Sequence, residues 1–210
     1  MRRKGCSVPM DTDRAIDHLV EIHRHLAKTE IYRGYRALPA FLSGLFAFVG
    51  AALQPFFVEG KPDLLFVWYW SALAGLSALI ATAEILYNYT IRESSTERRR
   101  TRTVAMQFFP CVAGGTFITI ALVTTDPSGV RFLPGIWAVV YGLGIFSARP
   151  YFPRMIGVAA LGFMLAGTAL LLMADRGSSL HPWAMGLTFG IGQIATGLIL
   201  YWNLERKNHV

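Results

Sequence analysis

Residues 64–89 read LLFVWYWSALAGLSALIATAEILYNY, and TIRESSTERRRTR follows at 90–102. The first stretch carries one formally charged side chain, Glu84; the second carries five arginines, Arg92, Arg98, Arg99, Arg100 and Arg102. A hydrocarbon layer about 30 Å thick is crossed by roughly 20 apolar residues at helical rise. A helix that is apolar on all sides has no polar face to give to water, so this stretch predicts a helix whose solvent is lipid. The arginines behind it mark where the chain returns to water beside a headgroup layer.

Five more runs have the same character, near 37–58, 104–124, 132–148, 155–174 and 183–203. Turn residues and charges separate them: EGKPD, RESSTERRRTR, TDPSGVR, SARPYFPR and ADRGSSLHP. The fourth run is the shortest, with Pro134 near its start and Arg149-Pro150 closing it. The chain as a whole is 53% hydrophobic with a mean hydropathy of +0.41, beyond what the core of a soluble 210-residue chain absorbs. The predicted fold class is therefore all-α: an integral membrane bundle of six transmembrane helices with an N-terminal cytoplasmic amphipathic helix. Its domains run 1–36 for the cytoplasmic tail and amphipathic helix, 37–203 for the bundle, and 204–210 for a second tail.

Net charge is +7, yet the basic residues lie in patches and form no basic face on a soluble fold, so no nucleic-acid partner is expected. Of the 20 Lys and Arg residues, all but Lys61, Arg131 and Arg176 fall on the side of the termini and of the second and fourth separators. Under the positive-inside rule that side is cytoplasmic, and an even number of spans also puts both termini together. Tyr32, Tyr35, Trp68, Trp70, Trp137, Trp183 and Trp202 then stand near run ends, where aromatic belts form. MRRKGCSVP runs into DTDRAIDH where a signal peptide would place its apolar region, so no secretory signal is expected, and Met10 is a candidate start. Cys6 and Cys111 belong to a basic tail and to an apolar run, which predicts no disulfide.

HLVEIHRHLAK, residues 18–28, holds three histidines and a glutamate. On a helix starting near residue 13, Arg14, Asp17, His18, Glu21, His25 and Lys28 share one face. Ile16, Leu19, Val20, Ile22, Leu26 and Ala27 cover the other, and His23 lies within that apolar arc. His18 and His25 stand roughly 10 Å apart along the axis, too far to share one ion. The segment reads as an amphipathic helix on the membrane surface or against a partner, and no metal is expected. Contact with a partner or anionic lipid is assigned to Arg98, Arg99, Arg100 and His23.

Polar groups inside apolar runs are costly and therefore informative. Glu84, Asn88, Gln107 and Gln193 are the candidates for a polar path, with Tyr141 and Asn203 as further members. Glu84 has a plainer alternative, reaching the interface or pairing with Arg36 or Arg149. Small residues at helical spacing, Gly186, Gly190 and Gly197 beside Gln193, and Ser71, Gly75, Ala78 and Thr82, predict close helix contacts, either internal or between copies in a homo-oligomer. RALP at 36–39 and RFLP at 131–134, with VAM at 104–106 and WAM at 183–185, are weak signs of two inverted halves.

No dinucleotide, phosphate-loop, zincin, serine-hydrolase or CxxC motif occurs, and all five histidines lie outside the apolar runs, away from where a membrane haem would sit. His181 with Asp175 and Ser178 or Ser179 reads as a polar loop. No cofactor and no catalytic residue are expected. In YRGYRALP, in LPGIWAVVYGLGIFSARPYFPR and in the terminal YWNLER, over most of its length, the chain resembles small six-span bacterial membrane proteins. That resemblance implies a bacterial inner membrane and brings no activity. Two functions stay open: a non-enzymatic sensor or scaffold that engages a cytoplasmic partner or anionic lipid, and a small transporter or channel with a polar path near Glu84.

Overall fold

A computed structural model describes residues 37–91, 95–176 and 180–205, and the expected leader helix with His23 lies outside them. Six α-helices follow one another: α1 (Ala37–Phe57), α2 (Asp63–Ile91), α3 (Ser95–Thr125), α4 (Leu133–Ala148), α5 (Ile156–Met173) and α6 (Pro182–Leu200). All six, counting short flanking turns, are long and apolar enough to cross a membrane. Their outward faces remain greasy: Leu172, Leu165, Phe117 and Phe109 are all largely exposed.

The helix ends follow from local chemistry. After α1, Gly60 takes φ +72°, a left-handed turn that glycine adopts without strain, and Asp63 opens α2 with a carboxylate at the positive end of the helix dipole. Asp126 starts the short 3-10 turn Pro127–Phe132 by accepting from the Ser128 amide at 2.9 Å and from its hydroxyl at 2.7 Å. The hydroxyl bond and then the amide bond hold the Asp126 carboxyl below its ordinary value, in a fully solvated place. Pro134 and Pro182 occupy first-turn positions of α4 and α6, where a missing N–H costs nothing. Pro110 stands inside α3 and withholds a hydrogen bond from the carbonyl one turn earlier.

Two pairs of helices set the bundle. α1 lies against α6, antiparallel, so closely that a Cβ built on Gly44 would stand 2.9 Å from the Gly190 carbonyl oxygen. One built on Gly190 would stand 2.7 Å from the Phe48 ring, and Gly186 and Gly197 meet Ala51 and Phe41 in the same seam. The 186–190–197 stripe expected from the sequence is thus occupied inside the chain. α4 and α5 form the second pair, with Gly135 and Gly167 each facing the other's carbonyl oxygen at 2.7 Å from a built Cβ. With lipid as solvent, helices with apolar outer faces would gain little by hiding apolar surface from one another, and close van der Waals approach would be what joins them.

The remaining helices lean on these pairs. α3 packs on α4, and α2 on α1 through Phe66, Val67, Trp70 and Leu73. Three expectations change here. The separator 92–102 is already helical from Ser95, because STERRRTR contains no glycine or proline to stop it. The Ser71, Gly75, Ala78 and Thr82 stripe faces outward, and a Cβ on Gly75 would meet nothing within 4 Å, so of the two contacts expected of it, internal or between copies, the internal one is not made, since α2 turns its aromatic face to α1. Trp70 and Trp137 point inward instead of joining a belt, donating to Gln54 at 2.8 Å and to Thr119 at 2.8 Å, whereas Trp68, Trp183 and Trp202 are exposed.

Candidate functional site

Three places concentrate polar chemistry. The first is the basic start of α3. Its apolar span begins at Thr101, so Ser95–Arg100 extends the helix by about a turn and a half beyond it. Arg98 and Arg99 are exposed there. The Arg98 guanidinium donates to the Thr90 carbonyl at 3.3 Å and stands 5.2 Å from the centre of the Tyr89 ring, which ties it back to the end of α2. Arg99 gives its carbonyl to the Thr103 hydroxyl at 3.0 Å. The backbone of Arg100 continues the helix, and its side chain lies outside the described atoms.

The second is in the middle of the bundle. Gln193 on α6 is 5% exposed, and its amide nitrogen donates to the Tyr141 hydroxyl on α4. Phe108, Phe163 and Phe189 surround Tyr141 with ring centres at 5.6, 5.0 and 5.8 Å. The Gln193 side-chain oxygen is enclosed and, among the described residues, has no hydrogen-bond partner, and the same holds for that of Gln107, one residue before Phe108 on α3. Of the expected polar path, then, Gln193 meets Tyr141, and Gln107 stands on the neighbouring α3. Glu84 and Asn88 belong to α2. Glu84 is half-buried and engaged within the chain; the Asn88 side chain lies outside the described atoms.

The third place was not foreseen. At the end of the bundle opposite residue 37, the α1–α2 turn and the start of α6 enclose a cleft of about 370 Å³. Gln54 lines it, 5% exposed, accepting from the Trp70 indole at 2.8 Å and donating to the Leu180 carbonyl at 2.9 Å. Glu59, Lys61, Asp63 and His181 supply its charged and titratable groups, and Phe66 and Trp183 part of its apolar wall. His181 caps α6, its Nδ1 accepting from the Trp183 amide at 3.4 Å. Asp175 pairs instead with Arg131 at 3.3 Å, an exposed contact of small energetic weight, so these two residues of the polar loop have separate structural uses. The legible signal was EGKPD, two carboxylates bracketing a glycine; nothing in it said that α6 would begin beside them.

Among protein families, curated proteins and solved structures, none matches the chain.

Proposed function

We propose that the chain is a multi-pass protein of a bacterial inner membrane with both termini in the cytoplasm, and that it senses or scaffolds without catalysis, through its basic cytoplasmic end. The observation that carries this is the helical extension of α3, which presents Arg98 and Arg99 exposed beyond the apolar span. Guanidinium groups held beside a headgroup layer recruit anionic lipid or an acidic partner surface, each cation adding about 1 kcal/mol near such a surface. The leader helix, whose sequence pairs a mixed-charge face with an apolar one, would add the partner contact.

Replacing Arg98, Arg99 and Arg100 together by glutamine should weaken retention of phosphatidylglycerol by the detergent-purified chain roughly a hundredfold, as three such contacts predict. Native mass spectrometry of lipid adducts measures this, with phosphatidylcholine as the insensitive control. Equal retention by the variant and the parent would remove the basic end from the function.

The second reading, a small transporter, is favoured by one observation: the enclosed, unpartnered oxygens of Gln107 and Gln193 offer hydrogen-bond acceptors deep between α3, α4 and α6. On that reading Glu84→Gln cuts the proton flux of reconstituted vesicles about a hundredfold, the lower end of what a positioned proton-transfer group contributes. Pyranine-loaded vesicles measure it, and flux indifferent to the change excludes Glu84 from any path.

A further inference from the structure

We propose that the bundle is built as two groups of three helices that slide on one another, and that Gln193 has two resting places at their boundary, Tyr141 as described above and Gln107. The inference goes beyond the sensing reading, to which it would add a part that moves, and its test needs neither lipid binding nor a partner.

The grouping follows from how the helices touch. α1 and α6 meet backbone to backbone at Gly44 and Gly190, and α2 lies on α1. α4 and α5 meet in the same way at Gly135 and Gly167, and again where Gly142 faces the Ala160 carbonyl; α3 lies on α4. Contacts of backbone on backbone resist sliding, because neither side can rotate aside. Between α1, α2 and α6 on one side and α3, α4 and α5 on the other, the contacts are of another kind. α5 meets α6 where the tip of the Phe163 ring fills the space beside Gly192, and the rings of Phe163, Phe189 and Tyr141 pack there at tilted or edge-on angles. α2 is tied to α3 at their hairpin by the Arg98 bond to the Thr90 carbonyl. Rings can turn and repack as one group shifts against the other, so this boundary is the surface of easiest motion.

Polar accounting at the boundary supplies the two positions. Gln193, on α6, is 5% exposed and donates across the boundary to Tyr141, while its enclosed oxygen has no partner among the described residues. The enclosed oxygen of Gln107, across the boundary on α3, has none either, so each group holds one orphan acceptor. The three residues share a depth. Gln107 is six residues inside the α3 span that begins at Thr101, Tyr141 seven before the end of α4 at Ala148, and Gln193 seven before the end of α6 at Leu200, each about 10 Å from the same end of the bundle. Phe108, next to Gln107, places its ring 5.6 Å from that of Tyr141, so Gln107 flanks the residue that Gln193 now holds. Two primary amides are self-complementary, each oxygen accepting an N–H of the other. Moving Gln193 from Tyr141 to Gln107 gives up one bond and meets both orphan oxygens. Repacking of the rings opposes that gain, which is the near balance that a two-position device requires.

Double electron–electron resonance on the full chain in nanodiscs, with Cys6 and Cys111 replaced by serine, measures the motion. Spin labels at Met106 on α3 and Leu198 on α6, both exposed, span the boundary; labels at Met106 and the exposed Val158 on α5 stay within one group. The first pair should give two distances and the second pair one. Gln107→Leu should lower one of the two populations about eightfold, the weight of two hydrogen bonds between membrane helices. Tyr141→Phe should raise that same population about threefold, the weight of one. Misfolding does not push a balance in opposite directions, so it cannot imitate this pair of results. A Met106–Leu198 distribution indifferent to either change, or moved the same way by both, overturns the proposal. So does a Met106–Val158 distance that moves with them, since the helices would then not travel as groups.

Discussion

Gly167→Val should collapse the thermal stability of the protein, while Gly162→Val, the same change one and a half turns away on α5, should leave it nearly intact. A Cβ at position 167 would stand 2.7 Å from the Gly135 carbonyl oxygen, 2.8 Å from the Val139 amide nitrogen and 2.9 Å from a Val139 methyl carbon. Two of these three are backbone atoms, which cannot rotate out of the way. The helices must separate, and α4 and α5 then lose contact along a seam that also includes Gly135 against Leu171 and Gly142 against the Ala160 carbonyl. Overpacking in a close-packed interior costs about 1–3 kcal/mol when side chains can yield, so about 3 kcal/mol or more is expected where they cannot. At position 162 a built Cβ meets nothing within 4 Å, and the cost should stay within about 0.5 kcal/mol. Thermal melts of the two purified variants in one detergent, followed by circular dichroism, give the comparison. Equal melting temperatures would show that the α4–α5 seam does not hold the bundle.

The contrast between those two glycines also shows what the chain discloses and what it withholds. Six apolar segments were legible because segment length against a 30 Å layer is a one-dimensional property. Which glycine faces a neighbour is not. The stripes Gly186–Gly190–Gly197 and Ser71–Gly75–Ala78–Thr82 look alike in sequence, yet the first is filled by α1 and the second faces outward. Small residues say that a helix can be approached; they do not say by what. Trp70 and Trp137 mislead for a related reason. Tryptophan belongs at an interface when its N–H needs water, but Gln54 and Thr119 supply partners from adjacent helices, and those meetings are long-range in the chain. At the buried polar pair, Gln193 could be picked out as an amide inside an apolar run, whereas Tyr141 as its partner required the fold.

Gln54→Leu should be the most damaging single change on the cleft side of the bundle. Gln54 is an amide inside an apolar helix, lining the cleft with Val58 and Phe66, and it ties three elements together: α1 by its own position, α2 through the Trp70 indole, and the start of α6 through the Leu180 carbonyl. A leucine of similar size fills the space and leaves that N–H and that carbonyl without a partner. An orphaned buried group costs about 1–3 kcal/mol in water-soluble proteins, but hydrogen bonds between membrane helices average nearer 0.6 kcal/mol with a maximum near 1.7. About 2 kcal/mol for the two together is the expectation. Trp70→Phe removes one donor only, leaves the Gln54 oxygen unmet, and should cost about 1 kcal/mol in hydrogen bonding before its loss of ring area. The decisive comparison is the double variant: once Gln54 is leucine, the phenylalanine no longer strands anything, so the two costs must fall short of adding. Unfolding in graded SDS–detergent mixtures, read by tryptophan fluorescence, measures each corner of that cycle. Strict additivity would mean that the Trp70–Gln54 bond contributes nothing to stability. The shortfall expected instead locates the bond as a brace between α1 and α2, and because the same amide holds Leu180, its loss frees the wall of the cleft that α6 provides.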